Sequence, residues 1–294
     1  MTAPLTTPLI LASTFNEATA QQEPTRLLEQ IIQASALLQG ACKRRFDEYV
    51  ATARYTSRLV VNGGDLLDWY RLSLNADLKS VSALAYDIPF GGVIGDGTAI
   101  TEYDIIASED AGGSPAASGR EVMLDAYNGT SFASTNNPRK SIALTGIWGF
   151  GGQWVSTGTT VSTLQSDSST SLVLASVTGI EAGMVFKVGT EYEYVELVNV
   201  ATKTVTVTRA YNGSTAASHA VSAVVYYWQA HPLVQGLIIR QLQWSEVQKN
   251  APMSGSVTVG DFTFPVDTNG LPKDVYDTIY RVKLVALPDR IVKA

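Results

Sequence analysis

Carboxylates come first, because the chain has few other groups able to do chemistry. Glu191, Glu193 and Glu196 stand close together, and two carboxylates at a defined separation are the machinery of glycoside hydrolysis. The spacing of two between Glu191 and Glu193 puts both on one face of a strand. That face is expected to meet solvent, which argues against general acid–base work. His219 lies in a run of Ala, Ser and Val near a strand start. No nucleophile or orienting acid is spaced with it, so a hydrogen-bonded structural histidine is expected rather than a catalyst. His231 precedes Pro232 and marks a helix start. Two histidines and the single Cys42 speak against a zinc site of the usual kind and exclude an intrachain disulfide.

The recognisable catalytic spacings are missing. There is no G-x-S-x-G elbow, no H-E-x-x-H, no G-x-x-x-x-G-K-[ST] loop and no G-x-G-x-x-G. Gly149, Gly151 and Gly152 come nearest to a phosphate loop, but Trp148, Phe150 and Trp154 interrupt them, so tight backbone bending is expected there. Asn128-Gly129-Thr130 and Asn212-Gly213-Ser214 match the glycosylation pattern and are also strong turn signals; the turn is the expected use. Trp69, Trp148, Trp154, Trp228 and Trp244 fall in apolar or strand context, which favours core over sugar stacking. No catalytic residue, metal or cofactor is predicted, and no enzymatic activity.

Composition agrees. The 294 residues carry 21 basic and 27 acidic side chains, a net charge of -6. Charged residues are 16% of the chain, against about 25% for an ordinary soluble domain, and 25 Ser with 29 Thr outnumber them. Apolar residues at 45% supply a core and argue against intrinsic disorder. The acidic balance argues against a broad nucleic-acid-binding face. No apolar run reaches the roughly 18 residues of a membrane span, and the N-terminal pattern lacks the features of a secretory signal, so no membrane partner is expected.

The elements that must position these residues follow from periodicity. Residues 1–22 read as an extended arm. Glu23-Pro24 opens a helix whose stripe runs through Leu28, Ile31, Ser35, Leu38, Cys42, Phe46 and Tyr49, with Lys43-Arg44-Arg45 solvated and matched to the dipole near its end. From Arg54 the period becomes two, giving short strands at 55–61, 79–86, 103–107, 121–125 and 140–148. Residues 156–170 are Ser/Thr-rich and carry the one charge, Asp167, between Lys140 and Glu181, which predicts a linker. Residues 171–228 then read as short strands forming a small barrel or sandwich. His231-Pro232 returns the chain to helix, and a last helix starts at Leu271-Pro272 and stops at Pro288. The predicted fold is α+β: a helical parent domain with a short-stranded sheet, discontinuous over 23–155 and 229–288, an inserted all-β domain at 171–228, and a C-terminal tail at 289–294.

The order of these elements carries a resemblance. The run Ala53-Arg54-Tyr55 to Asn62-Gly63-Gly64, then Leu78 to Leu84, Tyr103-Asp104-Ile105, Ile142 to Phe150 with its Thr145-Gly146-Ile147-Trp148-Gly149, and finally Leu271-Pro272-Lys273-Asp274-Val275 and Ile279-Tyr280-Arg281, resembles the head–tail connector (adaptor) proteins of tailed bacteriophages. The stretches Gly183 to Gly189, Val205 to Ser214 and Ala217 to Ala220 are similar to small β modules of phage virion proteins. The shortest connectors lack such a module.

The resemblance implies a structural virion protein of the neck, at the head–tail interface, assembled in the host cytoplasm. It implies a homo-oligomeric, dodecameric ring that extends the portal channel and binds the portal protein above. Tail or stopper (head-completion) proteins bind below, and double-stranded DNA passes without sequence-specific binding. It also implies portal contact through Lys283, Leu284, Val285, Leu287, Asp289, Arg290, Ile291 and Val292. The alternative is a virion binding module whose β domain recognises a surface carbohydrate.

Overall fold

The computed structural model describes residues 4–6, 24–59, 64–89, 91–107, 119–125, 130–133, 138–249, 256–259 and 262–265. Its elements are α1 (Pro24–Cys42), β1 (Tyr49–Tyr55), β2 (Leu66–Asp68), β3 (Arg71–Tyr86), β4 (Thr98–Ala99), β5 (Tyr103–Ala107), β6 (Gly119–Leu124), β7 (Ile142–Trp148), β8 (Gln153–Thr160), β9 (Ser171–Val173), β10 (Val185–Val188), β11 (Glu191–Asn199), β12 (Thr204–Thr208), β13 (Val224–Gln229), α2 (Pro232–Lys249), β14 (Ser256–Val259) and β15 (Phe262–Pro265). The chain divides into two compact units, one made of Glu48–Gly151 with Leu284–Ala294, the other of Met1–Asp47 with Gly152–Lys283.

The expected α+β fold, a helical parent domain carrying an inserted β module, is overturned. The protein is mostly β, with two large antiparallel sheets, the two-stranded pair β14–β15 and two α-helices among the described residues. The expectation took the strands between Glu48 and Gly151 for short pieces on a helical body. They form a sheet of seven strands, ordered β1-β7-β3-β6-β5, with β2 and β4 also paired to β3. The 16-residue β3 makes this possible. Its first half pairs with β6 and β2, and its second half with β7 and β4. Register shifts at Leu78/Ser80 and Val81/Ala83 bend the strand between its partners, as bulges do. The core of this unit gathers Leu66, Leu72, Leu74, Leu78, Val122, Phe132, Ile142, Leu144 and Trp148.

Gly146 sits where β3 is irregular. A Cβ built there would lie 2.2 Å from the carbonyl oxygen of Ser80, a backbone atom that cannot move aside. Gly146→Ala is therefore expected to cost about 1–3 kcal/mol through overpacking. Urea denaturation, with hydrogen exchange read on the peptide covering β7, measures it; unchanged protection would show that the strands can separate freely.

The second unit holds a barrel of order β8-β13-β10-β11-β12-β9. The two end strands meet: Val161 bridges Leu174, the Ser162 amide donates to the Val173 carbonyl at 2.8 Å, and the Ala175 amide donates to Thr160 at 3.0 Å. These bonds leave no free edge at the seam, which is how small β domains protect their backbones. The stretch from Ser156, linker-like by composition, enters the barrel as β8. Thr and Ser tolerate a pleated, half-exposed strand, and Gln153–Thr160 is exposed or half-buried everywhere but Thr159. Val161, Leu172, Phe186, Val188, Val195, Val205, Val207 and Val225 fill the interior.

Both helices belong to the barrel's unit and contact each other. The start of α1 at Pro24 follows expectation, but it ends at Cys42 and not at Tyr49. Lys43 adopts φ 50°, a left-handed conformation that stops a helix. Arg44 is buried, not solvated, while Arg45 reaches Asp47 with Nε at 3.1 Å. A Cβ on Gly183 (φ 92°) would strike Leu28 of α1 at 2.4 Å, so α1 packs closely on the barrel. Ahead of α1, the Leu5 side chain is buried and its amide donates to Ser35 Oγ at 3.0 Å. The expected last helix, from Leu271 to Pro288, lies outside the described residues.

Candidate functional site

Three hairpin segments bring ionisable side chains together at one end of the barrel. Glu191 and Glu193 stand at the start of β11, Arg209 follows β12, His219 precedes β13, and Gln165 follows β8. Backbone pairing fixes the last two against each other: the Gln165 amide donates to the His219 carbonyl at 3.1 Å, and the His219 amide returns a bond of 2.9 Å. The two carboxylates do share a face, as their spacing requires. The expectation that this face meets solvent is corrected: both are fully buried, because the strand start curls into the barrel end beneath residues 209–219.

Burial of two acids demands compensation, and Arg209 supplies most of it. Its Nε and one terminal nitrogen grip Glu191 at 2.7 and 2.6 Å. The other terminal nitrogen donates to the Ser166 and Ser169 carbonyls at 2.7 and 2.8 Å, and the Ala217 carbonyl takes a further bond. Glu191 also accepts from the amides of Ala210 (3.0 Å) and Ala217 (2.8 Å) and from His219 Nε2 (3.0 Å). Burial alone would raise its pKa, but Arg209 and these amides outweigh that and hold it below its ordinary value.

Glu193 is treated differently. Arg209 Nε lies 2.9 Å from one of its oxygens and His219 Nε2 3.6 Å, yet neither carboxylate oxygen has a hydrogen-bond donor in good geometry. Burial, reinforced by Glu191 and opposed by Arg209 and Gln165, pushes its pKa from 4.5 up to about 7. His219 is pushed down, by burial first and then by Arg209, against the pull of Glu191. It is therefore a neutral, hydrogen-bonded histidine, and its orienting acid is Glu191.

Ligand atoms of Glu191, Glu193 and His219 lie within 4.8 Å of one another, a spacing a divalent cation could use. The chemistry does not fit one. Five N–H donors saturate the oxygens of Glu191, and the positive charge between the acids is already the Arg209 guanidinium. The cluster is an ion-pair knot, not a metal centre. Nor does it suit glycoside hydrolysis, since both carboxylates are fully buried and Glu191 is taken up by Arg209 and the Ala210 and Ala217 amides. Glu196, the third candidate acid, is on the exposed side of β11 and accepts from Thr208 Oγ1.

Other expected features can be placed. Gly149, Gly151 and Gly152 adopt φ of 133°, 59° and 68°, and a Cβ on Gly152 would lie 2.3 Å from the Trp228 ring; they bend the chain and do not cradle phosphate. Asn212-Gly213 forms a left-handed turn, with Asn212 bound to Asp47 at 3.0 Å, while Asn128-Gly129 lies outside the described residues. Trp148 and Trp228 are core, but Trp69 is 46% exposed, a correction; the Trp244 side chain lies outside the described residues. Trp154 stacks on Tyr192 at 5.0 Å, and Lys187 caps both rings. The portal-contact candidates Lys283, Leu284, Val285, Leu287, Asp289, Arg290, Ile291 and Val292 lie outside the described residues.

Arg209 and Gln165 escape the sequence reading. Arg209 carries one signal that could have singled it out: it is the charge that closes the alternating Val/Thr strand after Thr204–Thr208, while two acids open the preceding strand. Comparison with protein-family models, with curated proteins and with solved structures finds no match.

Proposed function

We propose that the chain is a structural virion protein, a head-to-tail connector that forms a ring under the portal, extends the DNA channel and docks tail or stopper proteins. The reading starts from the resemblance, and one observation carries it. Of the two stretches with the most specific likeness, Leu271 to Arg281 lies outside the described residues and Ile142 to Phe150 is framework. It pairs on both sides, with β1 and β3, and needs Gly146 for close approach and Trp148 for burial. The buried ionic cluster at the barrel end is neutralised internally and closed to substrate. Among the described residues, those that carry the resemblance serve packing, which suits a scaffold better than a catalyst. The carbohydrate reading has less support, because the Trp154–Tyr192 rings of the barrel are capped by Lys187.

The test mixes the purified full chain with portal rings from the same genome and images the product by electron microscopy. A ring of this chain seated on the portal is the expected result, whether or not the free chain is monomeric. A chain that stays unbound at concentrations saturating for other necks would overturn the reading.

A further inference from the structure

Three buried acceptor oxygens at the barrel end have no hydrogen-bond donor in good geometry: both carboxylate oxygens of Glu193, whose ion-pair neighbour Arg209 Nε is already given to Glu191, and the side-chain oxygen of Gln165. Glu193 is fully buried and Gln165 is 2% exposed, so bulk water reaches neither. The Gln165 amide lies beside Glu193, where its N–H group favours the ionised carboxylate, but its nitrogen makes its hydrogen bond to the Ser169 carbonyl, at 3.2 Å. Acceptors left without a donor in a dry interior are costly. One added hydrogen on Glu193 removes the conflict, since a carboxylic acid donates where a carboxylate cannot.

We propose that Glu193 carries a proton in the folded barrel and donates it to the side-chain oxygen of Gln165, and that loss of this proton turns the Gln165 amide over and loosens residues 210–220 at the barrel end. The two states are specific. With Glu193 protonated, Gln165 accepts from it and keeps its nitrogen on Ser169. With Glu193 ionised, the amide turns to donate to the carboxylate and abandons Ser169, whose carbonyl retains only Arg209. Arg209 is then shared between two full negative charges. Its grip on Glu191 and Ala217, which closes residues 210–220 over the barrel, weakens.

The charged and titratable groups facing Glu193 are Glu191 on its own strand, Arg209 after β12 and His219 before β13, with Asp167 acting on Arg209 from the 165–169 turn. Their linkages have opposite signs. Glu193, with its pKa raised from 4.5 to about 7, contributes stability that is complete below 4.5 and lost as pH rises to about 7. His219, held down, contributes stability that is present above its ordinary value and lost as pH falls. Glu191, also held down, loses its contribution only at still lower pH. The barrel end is tightest in mildly acidic solution.

The experiment uses the full chain labelled with carboxyl-13C glutamate. One glutamate resonance is expected to titrate with a midpoint near 7, and Glu193→Gln removes it. Hydrogen exchange of residues 210–220 is read in parallel on both proteins. The His219 contribution cancels in the ratio of wild-type to variant opening. That ratio should rise on the order of tenfold between about pH 5.5 and about pH 7.5, as one coupled proton requires. The amide introduced by Glu193→Gln can itself donate to the Gln165 oxygen, so the variant should stay closed. A flat ratio overturns the proposal. So does a wild-type titration with every glutamate ionised by about pH 5.5, a result that holds even if the variant fails to fold. Stabilisation by added Mg2+, Mn2+ or Zn2+ that requires Glu193 would also overturn it, in favour of a cation.

Discussion

Replacing Arg209 by Met is expected to destabilise the barrel by about 3–5 kcal/mol, the cost of breaking a buried ion pair from one side. Methionine fills the aliphatic volume but takes away every donor of the guanidinium. Glu191, fully buried, loses two charge-assisted bonds and its counter-charge. The Ala217 carbonyl loses the guanidinium as well, while the carbonyls of Ser166 and Ser169 are left with the Ser169 amide and the Gln165 side chain alone. Glu193 is the more firmly protonated once Arg209 is gone, but Glu191 is held ionised by the Ala210 and Ala217 amides. The penalty therefore falls on Glu191. A double variant, Arg209→Met with Glu191→Gln, separates charge from packing. The new side-chain oxygen still accepts from one or both amides, so the double variant should recover about 1–3 kcal/mol of the loss. The chain has two units, so a single unfolding midpoint is not a clean measure. Hydrogen exchange resolved over β10 to β13 during urea denaturation is. Equal stability of the single variant and the wild type would show that the knot is ornamental.

Such a knot is visible only in part from sequence. Val205 and Val207 alternate with Thr, and Tyr192, Tyr194 and Val195 run on beside them, so β11 and β12 are legible within a residue or two. Local periodicity sets them. Periodicity also places Glu191 and Glu193 on one face, but it is silent on which side of that face lies inside. Here the answer depends on Arg209 and on His219, 18 and 28 residues away from Glu191 along the chain. The misread fold has the same origin. The wide apolar stripes of α1 and α2 do mark helices, yet helices this conspicuous suggest a helical body. The seven-stranded sheet is built by long-range pairing through β3. Leu78 faces Trp148 and Arg71 faces Met123, and no local pattern encodes such partners.

Trp148 should be the residue on which that sheet depends most. Its side chain is 1% exposed and packs in the core with Leu78, Ile142 and Leu144. It faces Tyr49 on one neighbouring strand and Leu78 on the other, and its indole Nε1 donates to the Ala51 carbonyl at 2.9 Å. One side chain thus links β1, β7 and β3 by packing and by a hydrogen bond. Trp148→Ala is expected to cost about 3–5 kcal/mol, since no neighbour can collapse into the space without breaking strand register. Trp148→Phe keeps most of the apolar bulk and loses the indole donor, for a smaller cost of about 1–3 kcal/mol. Exchange protection over residues 49–55 and 142–148 should fall in that order, while the barrel's protection stays as it was. A barrel that melts together with the sheet would show instead that the two units fold as one. If the connector reading holds, the Ala variant should also lose the portal-bound ring at temperatures where the barrel remains intact, because a ring subunit must present a rigid sheet to its neighbours.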